Sequence, residues 1–230
     1  MSNKLIICAV CAAFAVGAGT VALKHHFEPN VIKINGQIPI QTEQELILNS
    51  DLIIEGIVQE IGQSKWSNPE LTEGKRNVLQ TDITVSINNI ISGDYSSDAA
   101  VVRIDKGYDE ESNTVVESNG YPDFTEGEQV VLFLSRDDGD LATDEDYFVL
   151  TGMRQGKWEL SGKNEATAHS TDLSGDSDSA VYSAESYEGS TVEALKAKIA
   201  EEKALNPNWK EEQAERNAQA VEDNKALFGE

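Results

Sequence analysis

Clustered aspartates are the first residues in this sequence whose type and spacing suggest chemistry. One stretch between two apolar segments carries Asp137, Asp138, Asp140, Asp144 and Asp146. Calcium takes about six to eight oxygen ligands, and closely spaced carboxylates supply them. The spacing differs from that of an EF-hand loop. The hypothesis of a calcium-stabilised surface protein therefore rests on these five side chains, and a solvated turn between strands is the alternative.

Carboxylates also serve glycosidases, in which an acid and a second carboxylate flank the scissile bond at a separation of about 5 to 10 Å. With 41 acidic residues in a chain of 230, the sequence singles out no pair. Among the three tryptophans, Trp66 lies in a polar stretch and is the candidate for contact with a ligand. Trp158 adjoins an apolar strand position and is expected in the core.

Histidine and cysteine chemistry receives little support. His25 and His26 adjoin an apolar segment, and His169 has no nucleophile of the Gly-x-Ser-x-Gly type to serve. Cys8 and Cys11 lie inside the apolar segment, where a reactive thiolate pair would lack charge compensation. The sequence therefore predicts neither a catalytic set nor a disulfide in the domain that follows.

The apolar segment itself, residues 5–23, contains no charged side chain. At about 1.5 Å of helical rise per residue it is long enough to cross a hydrocarbon core of about 30 Å. A signal peptide cleaved after Ala18 or Ala22 is the alternative. We expect an extracytoplasmic protein anchored in the cytoplasmic membrane through residues 5–23, or one secreted after cleavage.

The charge of the chain limits its partners. The formal net charge is −23, from 41 acidic residues against 18 Lys and Arg. Binding to a phosphate backbone depends on clustered Lys and Arg that release counterions. Nucleic acid is therefore excluded as an expected partner.

Turn and periodicity signals divide the rest of the chain. Residues 25–41 are predicted to form a stalk or a small hairpin, with Asn35 and Gly36 at the turn and Pro39 keeping the second arm at an edge. Thr42 and Glu45 have the spacing of a capping box and predict a short helix over 43–49.

Residues 42–170 read as a β-domain. Strands are predicted at 52–61, with a bulge at Gly56, and at 79–88, 99–106, 114–117, 130–134, 147–150 and 157–160. Short strands at this spacing with no helices between them predict a small closed barrel or, alternatively, a β-sandwich.

The C-terminal part changes character. Residues 171–189 are rich in Ser, Asp and Gly and predict a polar loop, and residues 190–230 predict a helical tail. Ser190 and Glu193 have capping-box spacing, and Val192, Leu195 and Ile199 form an apolar stripe that should dock on the β-domain.

Four segments resemble a group of uncharacterised exported bacterial proteins, whose barrel is similar to the OB-type module of netrins and tissue inhibitors of metalloproteinases. They are residues 51–58, 90–94, 127–134 and 152–158, and the resemblance spans roughly residues 42–165. It implies an OB-like barrel. The inhibitors chelate the protease zinc through an N-terminal cysteine, which the domain after residue 11 lacks, so that mechanism is not implied.

These observations favour a non-enzymatic binding module of the bacterial cell envelope with an envelope protein as its partner. A carboxylate-dependent glycosidase and a calcium-stabilised surface protein are the two alternatives.

Overall fold

The structure, a computed structural model, describes residues 28–160, 165–168 and 190–228. The predicted leader of residues 1–24, with Cys8 and Cys11, lies outside these ranges, as do all three histidines and the predicted polar loop of residues 171–189. Within the described ranges, no helix has both the length and the apolar character needed to cross a membrane.

The chain is mainly β, as predicted. Its elements in order are β1 (Asn30–Ile34), α1 (Glu43–Asn49), β2 (Leu52–Ile61), β3 (Lys65–Trp66), β4 (Leu79–Ser92), β5 (Ala99–Ile104), β6 (Gly107–Asp109), β7 (Thr114–Ser118), β8 (Gln129–Ser135), β9 (Val149–Leu150), the 3-10 turn η1 (Met153–Gly156), β10 (Lys157–Leu160), β11 (Glu165–Ala168), β12 (Ser190–Thr191), α2 (Val192–Leu205) and α3 (Trp209–Phe228).

The strands form two sheets. The main sheet has the order β12-β11-β10-β8-β2-β4-β3, with β5 also pairing with β4 and β9 with β8, and the small sheet has the order β1-β7-β6. The predicted closed barrel is wrong, because the main sheet does not close by continuous strand pairing. Only two residues of the predicted strand at 147–150 form β9. Phe148, the residue before β9, forms a single parallel bridge with Val102 of β5.

Strand β2 lies at the centre of the main sheet because its side chains are apolar on both faces. Leu52, Ile53 and Ile54 are at most 1 % exposed. The predicted irregularity at Gly56 is confirmed, since the β2-β4 register shifts between Glu55 and Gly56. A Cβ atom at Gly56 would lie 2.4 Å from the Ser86 carbonyl oxygen, so glycine permits this close approach of the two strands.

The two faces of the main sheet bury separate clusters. One contains Ile54, Val85 and Leu132, and the other contains Ile53, Phe133 and Trp158 with side chains of α1 and α2. Trp158 is therefore a core residue, as predicted. Each such side chain contributes about 1.5 to 3 kcal/mol when fully buried. The contacts of Phe133 and Trp158 hold β8 and β10 together, and η1 directly precedes β10.

The helix predictions hold in their main features. Thr42 Oγ1 accepts from the Glu45 amide at 3.2 Å, and Glu45 Oε2 accepts from the Thr42 amide at 2.7 Å, which is the predicted capping box of α1. In α2 the predicted stripe of Val192, Leu195 and Ile199 is buried. Ser190, however, belongs to β12, so the predicted cap at that residue is wrong.

The predicted hairpin in residues 25–41 is also wrong. Strand β1 pairs in parallel with β7, with Asn30 opposite Thr114, and residues 35–42 contain no strand. The Asn119 side chain provides the physical reason, because its Oδ1 accepts from the Gly36 amide and its Nδ2 donates to the Gly36 carbonyl, both at 3.1 Å. Gly36 is thereby attached to the end of β7 and makes no tight turn back onto β1.

Candidate ligand-binding site

A groove of about 710 Å³ lies beside the small sheet and is lined by β1, β6 and β7, by residues between Asn119 and Asp123, and by η1. Its volume is within the range of about 300 to 1,000 Å³ typical of small-molecule sites. Its charged and aromatic lining residues are Lys33, Lys106, Arg154, Glu117, Asp123, Tyr108 and Tyr121. This recess is called the groove below.

The backbone of η1 places Arg154 in the wall of the groove. Gly152 and Met153 both have left-handed backbone angles, with φ of 65° and 57°. For a residue with a side chain this conformation costs roughly 1 to 2 kcal/mol, so other contacts must maintain it. The Arg154 amide donates to the Gly120 carbonyl at 2.8 Å, and Met153 packs where a Cβ atom of residue 120 would lie.

The side chain of Gln155 fixes η1 from the other side. Its Nε2 donates to the Pro39 carbonyl at 3.0 Å, and its Oε1 accepts from the Gln41 amide at 2.9 Å. The buried Trp158 indole N–H donates to the Gln155 carbonyl at 3.1 Å. The turn that carries Arg154 is therefore braced against both the core and the segment before α1.

Two lysines of the groove already have anionic partners. Lys33 Nζ lies 3.2 Å from Glu117, and Lys106 Nζ lies 2.5 Å from Asp123. The hydrogen bond from Lys106 lowers the pKa of Asp123. Asp123 is therefore ionised at neutral pH, and both lysine charges are locally compensated.

Arg154 differs from these lysines and from the other arginines in its lack of an ion pair among the described residues. Arg76, Arg103, Arg136 and Arg216 each form an ion pair with a carboxylate. Within the described ranges Arg154 forms none, and its Nε atom is buried without a hydrogen-bond partner. Buried donors are normally paired, so an anion with two oxygens, such as a carboxylate, would complete this site.

A second, smaller recess contains the predicted ligand contact Trp66. It has a volume of about 180 Å³ and is also lined by Asp82, Arg103 and Glu145. We call it the Trp66 recess. Trp66 is half-buried, and its indole N–H donates to Asp109 at 2.9 Å. The structure thus places Trp66 in a recess, while its contact with a ligand stays a prediction.

The arginine and the two carboxylates of the Trp66 recess satisfy one another. Arg103 Nε and Nη2 donate to the two carboxylate oxygens of Asp82 at 2.7 and 2.9 Å, and Nη2 also donates to Glu145 at 2.7 Å. The guanidinium carbon lies 4.0 Å from the centre of the Tyr147 ring. The hydrogen bond from Arg103 lowers the pKa of Glu145. Glu145 therefore lacks the raised pKa that a glycosidase acid requires.

Three of the five candidate calcium ligands have separate side-chain partners. Arg76 donates to both carboxylate oxygens of Asp140, and Tyr147 donates to Asp137. Arg136 and Tyr95 donate to Asp146, and the remaining two, Asp138 and Asp144, are exposed. In the part of the chain that the structure describes, no three His, Cys, Asp or Glu side chains are grouped so as to hold a metal ion. The loop is therefore organised by arginine and tyrosine contacts.

No protein-family model and no curated protein matches this sequence.

Sequence reasoning missed Arg154 as a functional candidate. Residues 152–158 were significant only as a glycine-rich turn that resembles the closing turn of an exported barrel. An arginine between glycines in a strongly acidic chain was an available signal. The lack of a carboxylate partner depends on tertiary structure and could not be read from the sequence.

Proposed function

We propose that the protein is a non-enzymatic binding module of the bacterial cell envelope, and that the groove is its binding surface. In this proposal residues 5–23 export the domain and hold it at the outer side of the cytoplasmic membrane, or are removed to release it. The observation that supports binding is the groove of about 710 Å³ with Arg154 in its wall, where the Arg154 Nε has no hydrogen-bond partner among the described residues.

We also propose that the main sheet is an OB-like barrel related to the OB-type module of netrins and tissue inhibitors of metalloproteinases. An OB-fold is a five-stranded and partly open barrel, and β2, β4, β5, β8 and β9 would be its strands. Support comes from two hydrogen bonds across the gap, from the Arg103 amide to the Phe148 carbonyl at 2.8 Å and from the Phe148 amide to the Val101 carbonyl at 2.9 Å.

Site-specific photocrosslinking in intact cells tests the binding role. Tyr108 lines the groove and is 44 % exposed, so p-benzoylphenylalanine at this position of the full chain should capture a discrete envelope protein. Leu205, 70 % exposed on α2, is the matched control position outside the groove. A discrete adduct from position 108 that is absent from position 205 supports the proposal. Equal patterns from both positions would contradict it.

The location has its own test. Mass spectrometry of the N-terminus of the protein isolated from cells should find either the intact leader in the membrane fraction or a new terminus after Ala18 or Ala22 outside the cytoplasm. Full-length chain free in the cytosol would contradict the proposed location.

A further inference from the structure

We infer that the groove takes its ligand by a carboxylate group, which the Arg154 guanidinium binds through its paired N–H donors. This inference rests on the proposed binding function of the groove and specifies the chemistry of the ligand. The carboxylate can belong to a small molecule or to a partner protein, and the experiment below separates these sources.

The first support is the charge balance of the groove. Lys33 is paired with Glu117, and Lys106 with Asp123. Both carboxylates of the lining are thus paired with lysines, and among the described residues Arg154 is the one cation of the lining that forms no ion pair, although its charge also helps to lower the pKa of Asp123. One positive charge matches a monoanion. A dianion such as phosphate would be repelled by the two carboxylates of the groove and by the net charge of −23.

The second support is geometric. A guanidinium presents its N–H donors in a rigid planar fork that matches the two oxygens of a carboxylate. Two other arginines show this geometry within the protein itself, since Arg103 and Arg76 each donate twice to one aspartate. Arg154 has the same donor set and lacks the aspartate.

The third support is the rigidity of the arginine's position. The Gly120 carbonyl and the Gln155 side chain hold η1, and Met153 retains an unfavourable left-handed conformation there. Backbone strain of this kind persists only where surrounding contacts fix it, and it is concentrated at ligand sites. A preformed turn reduces the ordering cost of binding.

The test uses the full chain in a neutral detergent and follows the arginine Nε–H signals by NMR. Sodium acetate is the probe, sodium chloride at equal ionic strength is the control, and sodium phosphate is the third titrant. We expect a saturable shift of the Arg154 signal with acetate, no saturable shift with chloride, and weaker binding of phosphate. The signals of Arg76, Arg103, Arg136 and Arg216 serve as internal controls, because these residues already have carboxylate partners.

Variants sharpen the test. Arg154→Gln should weaken acetate binding about tenfold or more, because it removes charge-assisted hydrogen bonds. Arg154→Lys should bind less well than wild type, because a lysine has no planar fork. Arg136→Gln, which removes a half-exposed arginine paired with Asp146, should leave acetate binding unchanged.

Three results would overturn the inference: an Arg154 signal that acetate does not move, equal effects of acetate and chloride, or tighter binding of phosphate than of acetate. None of them affects the crosslink from position 108, so failure of the ligand class and failure of the binding function are distinguishable. If Arg154→Gln abolishes that crosslink, the carboxylate belongs to the partner protein. If acetate binds but the crosslink is independent of Arg154, the carboxylate belongs to a small ligand.

Discussion

The groove and the Trp66 recess each contain an arginine, but only one of these arginines has a complete set of partners. Arg103 in the Trp66 recess binds Asp82 and Glu145 and stacks on Tyr147. Arg154 in the groove forms no ion pair among the described residues. A largely buried cation with a complete set of partners stabilises the fold, whereas a partly buried cation with an incomplete set can bind a ligand. The difference separates a structural recess from a candidate binding site.

The contrast is informative because acidic residues outnumber basic ones by 41 to 18. In such a chain a carboxylate is close to almost any point of the surface, and four arginines form an ion pair with one. Arg154 is an exception because η1 is held in place by Gly120 and Gln155. The nearby carboxylate of Asp123 is already bound to Lys106.

The largest expected effect concerns Lys157, which follows η1 directly. Its side chain is 2 % exposed, and its Nζ lies 2.5 Å from Glu128 and donates to the Asp123 carbonyl at 2.6 Å. We expect Lys157→Ala to lower the free energy of unfolding by about 3 to 5 kcal/mol, because Glu128, which is only 17 % exposed, would lose its cationic partner. Urea denaturation measures this loss, and the double variant Lys157→Met with Glu128→Leu should recover most of it. A loss below about 1 kcal/mol, the range of an exposed ion pair, would contradict a structural role for Lys157.

Arg103→Ala should have the next largest effect. Its side chain is only 11 % exposed, but Asp82 is 33 % and Glu145 is 68 % exposed, so solvent reduces the penalty. We expect a loss of about 2 to 3 kcal/mol in the same denaturation assay. Arg76→Ala, at an exposed pair with Asp140, is the control and should cost about 0 to 1 kcal/mol. Equal losses in the two variants would remove the distinction between Arg103 and a surface arginine.

Arg154→Ala should affect stability least among these cationic residues, because no carboxylate of the described residues loses a hydrogen bond or an ion pair. We expect a change of less than about 1 kcal/mol in the free energy of unfolding. Loss of ligand binding with retained stability is the pattern that we predict for a binding residue. A loss as large as that of Arg103→Ala would instead assign Arg154 to the structural set.

The smallest effect concerns pH. The hydrogen bond from Arg103 lowers the pKa of Glu145 below its ordinary value of 4.5. The folded state therefore gains stability from Glu145 above that value and loses it as the pH falls through the lower folded pKa. Thermal unfolding between about pH 6 and pH 3 should show a shallower acid dependence in Glu145→Gln than in wild type. Parallel profiles would show that Arg103 is satisfied by Asp82 alone.

Much of the fold followed from local signals. Thr42 and Glu45 specified the start of α1, and the alternation from Leu79 onward specified β4, because both signals depend on neighbours in the chain. The hairpin prediction failed because Asn35 and Gly36 are a favourable turn only locally. Their actual partner, Asn119, is 83 residues from Gly36.

The candidate site was much less predictable than the fold. Trp66 was chosen for its residue type, and the structure places it in a recess whose arginine and two carboxylates are already paired. The aspartates at 137–146 suggested calcium, but their arginine and tyrosine partners come from as far away as Arg76. Arg154 is distinguished by a missing contact. Such an absence is a property of three-dimensional packing and has no sequence pattern.

The most direct test of the groove as a binding surface is the crosslinking yield from position 108 in two forms of the full chain, wild type and Arg154→Gln, produced at equal levels in intact cells. We predict a discrete adduct with wild type. A yield reduced about tenfold or more with Arg154→Gln would identify the partner protein as the source of the carboxylate, in line with the loss of a charge-assisted hydrogen-bonded pair. Two patterns would contradict the groove as the binding surface: no discrete adduct from position 108 in the wild type, or the same adduct from the control position 205.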